Sequence, residues 1–139
     1  LNIGVLAPTT ASNRGTPISN GEQGASISCT ISGSGTFSIR AETFAQENNS
    51  SFNIQSASVP AGGVGMGEID MQSVSTGHLQ TPRAGMASSP CSFDVSVSGT
   101  EVGAGKVYAK VTCPKVLDPQ TPTNVCRLDG WVLLEGCGS

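Results

Sequence analysis

"CSFDVSV" (residues 91–97) and "GKVYAKVTC" (residues 105–113) decide the fold. Each alternates apolar and polar residues with a period of two, so each reads as a half-buried β-strand. Cys91, Phe93, Val95 and Val97 share one face of the first, and Val107, Ala109, Val111 and Cys113 share one face of the second. An antiparallel hairpin across "GTEVGAG" (99–105), with Val97 opposite Val107, sets Cys91 opposite Cys113 on the inner face. Directly opposed Cβ atoms lie roughly 4.5–5.5 Å apart. A disulfide prefers about 3.8 Å, so a bridge there is reachable at some strain; otherwise the two cysteines reach other strands.

The same alternation recurs upstream. In "ASISCTIS" (25–32), Ile27, Cys29 and Ile31 oppose Ser26, Ser28 and Thr30. In "TFSIRAE" (36–42), Phe37, Ile39 and Ala41 oppose Ser38, Arg40 and Glu42; Phe44 breaks the phase and predicts a bulge or a strand end. "SFNIQSASV" (51–59) and "GVGMGEIDMQSV" (63–74) follow a polar turn, with Ile69 and Met71 against Met66, Glu68 and Asp70. The glycines of "AGGVGMG" mark a turn and a strand whose backbone is closely approached. Residues 75–90 read as a long loop, and "WVLLEGC" (131–137) as the last strand, with Trp131 in the core. No segment holds a helical period. The prediction is an all-β fold, an antiparallel β-sandwich or jelly roll of about seven to eight strands stapled by disulfides. Residues 25–139 form its single domain. Residues 1–24 form an N-terminal edge strand and a flexible segment that includes the Asn20-Gly21 turn signal.

Composition narrows the function classes. The chain has 139 residues, of which only 12% are charged, and a net charge of -3. Seven Lys/Arg without a cluster argue against nucleic acid. No apolar run is long enough for a transmembrane segment. Five cysteines with no C-x-x-C spacing and a single histidine, His78, point to disulfides in an oxidising compartment. The expectation is therefore a secreted or cell-surface protein with no metal and no cofactor. Any signal peptide before Leu1 is expected to have been removed.

Cys126 and Cys137 cannot bridge each other. One continuous strand separates them by about 36 Å, and a turn at Asp129-Gly130 sets Cys126 opposite Leu133. The preferred partition is Cys91–Cys113 with Cys29 bonded to Cys126 or Cys137; the rival is Cys113–Cys126. The fifth cysteine is expected to be buried, or to join two chains.

No catalytic constellation is expected. There is no G-x-S-x-G elbow and no phosphate-binding glycine motif, and a thiol nucleophile would have only His78 as a base. Three residues remain as ligand contacts. Glu68 and Asp70 project from one strand face, and Tyr108 stands on an outward phase between Lys106 and Lys110. Asn48 and Asn49 each open a glycosylation sequon in a predicted turn.

The run "CSFDVSV…GKVYAKVTCP…C…GWVLLEGC" resembles small exported bacterial β-sandwich proteins, many of them lipoproteins of unknown function. The resemblance covers the last third of the chain. It implies the fold and the compartment and carries over no catalytic residue. With Leu1 and not a lipid-bearing Cys at its start, the expectation does not extend to the membrane anchor of those lipoproteins.

The leading expectation is a non-enzymatic extracellular interaction or structural module with a protein partner. It includes self-association through Leu1, Ile3, Val5 and Leu6, which would add as a strand to a neighbouring copy. The alternative is a secreted glycan-binding or glycan-hydrolysing module using Glu68, Asp70 and Tyr108.

Overall fold

The computed structural model describes residues 19–45, 50–75, 78–80, 83–84, 89–118 and 121–139. Leu1, Ile3, Val5, Leu6, Asn48 and Asn49 lie outside them.

Among the described residues the chain forms ten strands: β1 (Ala25–Ser34), β2 (Thr36–Ala45), β3 (Ser50–Pro60), β4 (Val64–Ser75), β5 (His78–Gln80), β6 (Arg83–Ala84), β7 (Cys91–Asp94), β8 (Glu101–Gly103), β9 (Lys106–Asp118) and β10 (Thr121–Glu135). All strand pairs are antiparallel. The sheet runs β1-β2-β3-β4-β6-β9-β10, with β7 in line with β6 between β4 and β9, so seven staves follow one another as a meander. An odd number of antiparallel staves leaves the first and last running the same way. The closing contact is accordingly parallel: Thr30 bridges Gly138. The sheet thus rolls almost into a barrel, and the Cys29–Cys137 disulfide, with its Cα atoms 4.9 Å apart, clamps the seam.

The core fills the interior, with every stave contributing. Ile31, Ile39, Ile54, Val59, Ile69, Phe93, Val107, Val132 and Leu134 are all buried. The period-two reading therefore placed the inner faces of β1 and β2 and of β7 and β9. Ser92, Phe93 and Asp94 pair with Thr112, Val111 and Lys110, the register that sets Cys91 opposite Cys113. These two cysteines form the second disulfide, with Cα atoms 4.1 Å apart.

Four local readings need correction. The first concerns Phe44. Strand β2 carries no bulge there but ends one residue later, at Ala45, so the strand end is the alternative found, and Thr43 takes the inward position in phase with Ala41. The Thr43 hydroxyl donates to the Phe52 carbonyl (2.6 Å) and accepts from the Phe52 amide (3.1 Å), so its burial leaves no polar group orphaned. The bulge sits in β3 instead: Ile54 pairs with Ala41 and Ala57 with Ile39, which shifts the inward phase from even to odd residues.

Val97 is the second correction. The Asp94 carboxylate accepts from the Ser96 amide (2.8 Å) and hydroxyl (2.6 Å), an Asx-type turn that ends β7. Val97 then opens a turn closed by the Thr100 amide on its carbonyl, and it faces solvent. Val107 pairs with Val102 of β8, not with Val97.

Thirdly, part of the stretch 75–90 is strand. His78 lies in β5 opposite Ser75, and Arg83 and Ala84 bridge β4 to β9. Pieces of two or three residues are too short to show a period.

Lastly, the Pro-rich stretch after Cys113, a loop if Cys113 and Cys126 were bonded to each other, belongs around Pro114 to the β9–β10 hairpin. Pro114 and Lys115 together oppose Arg127 in a bulge, where a residue without an N–H costs no ladder bond.

The glycines of β4 have a packing reason. Gly65 pairs with Phe93 and Gly67 with Cys91 in the β4–β7 register, and on its other side β4 lies so close to β3 that a Cβ at Gly67 would meet the Ser56 carbonyl and Ala57. A Cβ at Gly65 would collide with the Ser58 carbonyl and the backbone of Val59. Gly65→Ala is expected to destabilise the fold by about 1–3 kcal/mol through overpacking. Urea denaturation checks this, and an unchanged midpoint would show that β3 and β4 can separate freely.

The free edge of β1 is capped within the chain. The Gly21 amide, in the turn at Asn20-Gly21, donates to the Ala25 carbonyl (2.7 Å), and Asn20 Oδ1 accepts from the Ile27 amide (2.9 Å). Further along, Gly138 donates to the Cys29 carbonyl (3.0 Å) and accepts from the Ile31 amide (2.8 Å). Edge groups so occupied resist strand addition.

Candidate functional site: the outer face of β8, β9 and β10

Alternation that buries Val107, Ala109 and Val111 turns Lys106, Tyr108, Lys110 and Thr112 outward. On β10 the buried residues are Val132 and Leu134, so Asp129, Trp131, Leu133 and Glu135 point outward. This corrects the reading of Trp131 as core: its side chain is on the solvent phase and 42% exposed. Lys110 lies opposite Trp131, and Tyr108 opposite Leu133. Tyr108 therefore sits diagonally across from Trp131, within reach for long side chains. The two rings stack, with centroids 5.4 Å apart and planes inclined by 25°.

Charged groups surround the pair. Lys106 Nζ lies 2.6 Å from Glu101 and 3.4 Å from Glu135, and its hydrogen bond to Glu101 holds its pKa above the usual lysine value. Arg127 grips Asp129 with two guanidinium nitrogens, Nη2 at 2.9 Å from Oδ1, while the Thr112 hydroxyl donates to the same carboxylate at 3.0 Å. The Arg127 bond comes first, and with Thr112 it pulls the Asp129 carboxyl below its ordinary pKa. Asp94, in register with Lys110, is also lowered, chiefly by the Ser96 hydroxyl and amide and to a smaller degree by Lys110. Such exposed pairs add little stability. Their effect is to fix the direction of donors and acceptors around the rings. Val64 and Met66, opposite Asp94 and Ser92, extend the same outer surface with apolar side chains.

The other expected contact residues lie elsewhere. Glu68 and Asp70 face outward on β4, and Asp70 accepts a hydrogen bond from Gln55 Nε2 at 2.9 Å. Glu68 follows Gly67, which pairs with Cys91, and Cys91 lies against Cys113; Tyr108 is five residues further along β9. Strand geometry thus separates Glu68 from Tyr108 by roughly 20 Å. The structure brings Tyr108 together with Trp131 and not with the two acids. An open depression of about 270 Å³ lies on the outer side of β1–β3, lined by Ser28, Glu42, Phe44 and Asn53 among others.

Cys126 lies in β10 opposite Val116, and its side chain, like that of His78, is outside the described residues. Among the described residues, no group of three or more His, Cys, Asp or Glu is placed to hold a metal ion, and no helix is long and apolar enough to cross a membrane.

Fold and face together define a disulfide-clamped antiparallel β-roll with a stacked, solvent-facing aromatic pair. No protein-family model, curated protein or solved structure matches the chain.

Proposed function

We propose that the protein is a non-enzymatic extracellular interaction module that engages its partner through the outer face of β8, β9 and β10. The observation that carries this reading is Trp131, the chain's one tryptophan, held solvent-exposed against Tyr108. Burying that ring against a partner recovers hydrophobic energy that folding leaves unused, and ordered amphipathic aromatics are favoured contact residues. Two disulfides support an oxidising, extracellular setting. The reading includes self-association through the N-terminal segment. The occupied groups along the edge of β1 speak against that edge as the acceptor of such a strand.

Retention of labelled protein on insoluble cell-envelope and extracellular-matrix material tests the reading. The wild type is expected to be retained without turnover of chromogenic glycoside, ester or peptide substrates. Tyr108→Ala and Trp131→Ala should weaken retention at least tenfold, while Phe44→Ala, on the outer side of β2 and 41% exposed, should not. Equal loss from all three variants, or turnover of any substrate, would refute it.

A further inference from the structure

We infer that the ligand of this face is an uncharged polysaccharide, bound along the interior of its chain. The inference rests on the proposed role of the face and names the chemistry of what it binds.

Three features carry it. The first is the ring pair. A pyranose presents a hydrophobic C–H face flanked by equatorial hydroxyls, and an exposed aromatic plane complements that face. Trp131 offers such a plane, and its stack on Tyr108 fixes the ring before binding, so little rotamer freedom is left to lose.

The second is the polar surround. The Asp129 carboxylate, oriented by Arg127 and Thr112, lies in the row beside Lys110 and Trp131, and Asp94 lies opposite Lys110. Acceptors and donors therefore alternate within one or two strand spacings of the ring, which suits hydroxyl groups that both donate and accept.

Charge balance is the third. The face holds Lys106 with Glu101 and Glu135, Arg127 with Asp129, and Lys110 facing Asp94. With Lys115, exposed opposite Arg127 in the β9 bulge, four cations meet four anions and leave the face near neutrality. A polyanion, whether nucleic acid, acidic polysaccharide or anionic lipid surface, gains nothing from such a surface, whereas an uncharged polyol loses nothing. The groups project from the outside of a sheet, and the open depression lies on β1–β3. A sheet exterior contacts successive units of a chain and has no walls to enclose a chain end.

Affinity electrophoresis of the intact, oxidised protein through gels containing single polysaccharides tests this. Starch, xylan, mannan, β-glucan and dextran form the uncharged arm, and alginate, pectin and heparin the charged arm. The expected result is retardation by at least one uncharged polymer, insensitive to added salt. Trp131→Ala and Tyr108→Ala should each weaken it at least tenfold, with circular dichroism unchanged, while Phe44→Ala has no effect. Retardation only by charged polymers, abolished by salt, overturns the inference, as does uncharged-polymer binding that survives both aromatic substitutions. Envelope retention that depends on Trp131 without binding to any polysaccharide overturns the inference and leaves the interaction module standing. Loss of both overturns the two together.

Discussion

Replacing Cys29 and Cys137, which pack against the core, together by serine is expected to cost about 4–5 kcal/mol. The bond spans 108 residues, and chain-entropy arguments give roughly that value for a loop of this length, against about 3 kcal/mol for the 22-residue span of Cys91–Cys113. There is a structural reason to expect the full cost. Gly138 makes the described backbone contact between the two ends of the meander, and the disulfide holds it there. Without the clamp, the tail leaves β1, and the Cys29 carbonyl and Ile31 amide lose their partners. The check is denaturant unfolding of the oxidised double variant beside the wild type, together with limited proteolysis of the C-terminal tail. An unchanged midpoint and a resistant tail would mean that the seam is held by something other than this bridge.

The second large effect is in the interior. Val111 lies on the buried face of β9 opposite Phe93, close to the Cys91–Cys113 bridge. Val111→Asp places a carboxylate beside Phe93 and Ala109, with no cation among the described buried residues to pair with. The expected cost is at least about 3–5 kcal/mol, enough to unfold a domain of this size. Ser38→Asp, on the exposed phase of β2, is expected to change stability by less than about 0.5 kcal/mol. Near-ultraviolet circular dichroism and thermal unfolding distinguish the two. Similar behaviour of the pair would show that the inner and outer faces are assigned wrongly.

How far the sequence can be read depends on whether alternation is unbroken. Strands β1, β2, β7 and β9 are legible because polar residues interrupt the apolar ones at every second position, which fixes both the face and the register. That register makes Cys91–Cys113 the preferred pairing without excluding Cys113–Cys126, and the structure forms the first. The partner of Cys29 is not local: it depends on seven staves curling until β1 meets the tail after β10, and no pairwise pattern encodes that curvature. The outward face of Trp131 is hidden for a different reason. "GWVLLE" is apolar at four consecutive positions, so period two is hidden by the side chains themselves. Glu135, in phase with Trp131 and Leu133, is the residue that could have revealed the outward face. Val97 escaped because an Asp–Ser turn ends the strand just before it, although the alternation continues in the letters. The candidate site was thus half visible. Tyr108 is outward by phase, but its stacking partner comes from a neighbouring strand and emerges only once the β9–β10 register is known.

Iodide quenching of the Trp131 fluorescence measures directly whether this ring faces solvent beside Tyr108, since no other tryptophan contributes. The folded, oxidised protein is expected to be quenched at a substantial fraction of the rate for the urea-unfolded chain, with a red-shifted emission maximum, and Tyr108→Ala should raise that rate further. A blue-shifted emission that iodide does not reach would place Trp131 in the core and contradict the proposed face.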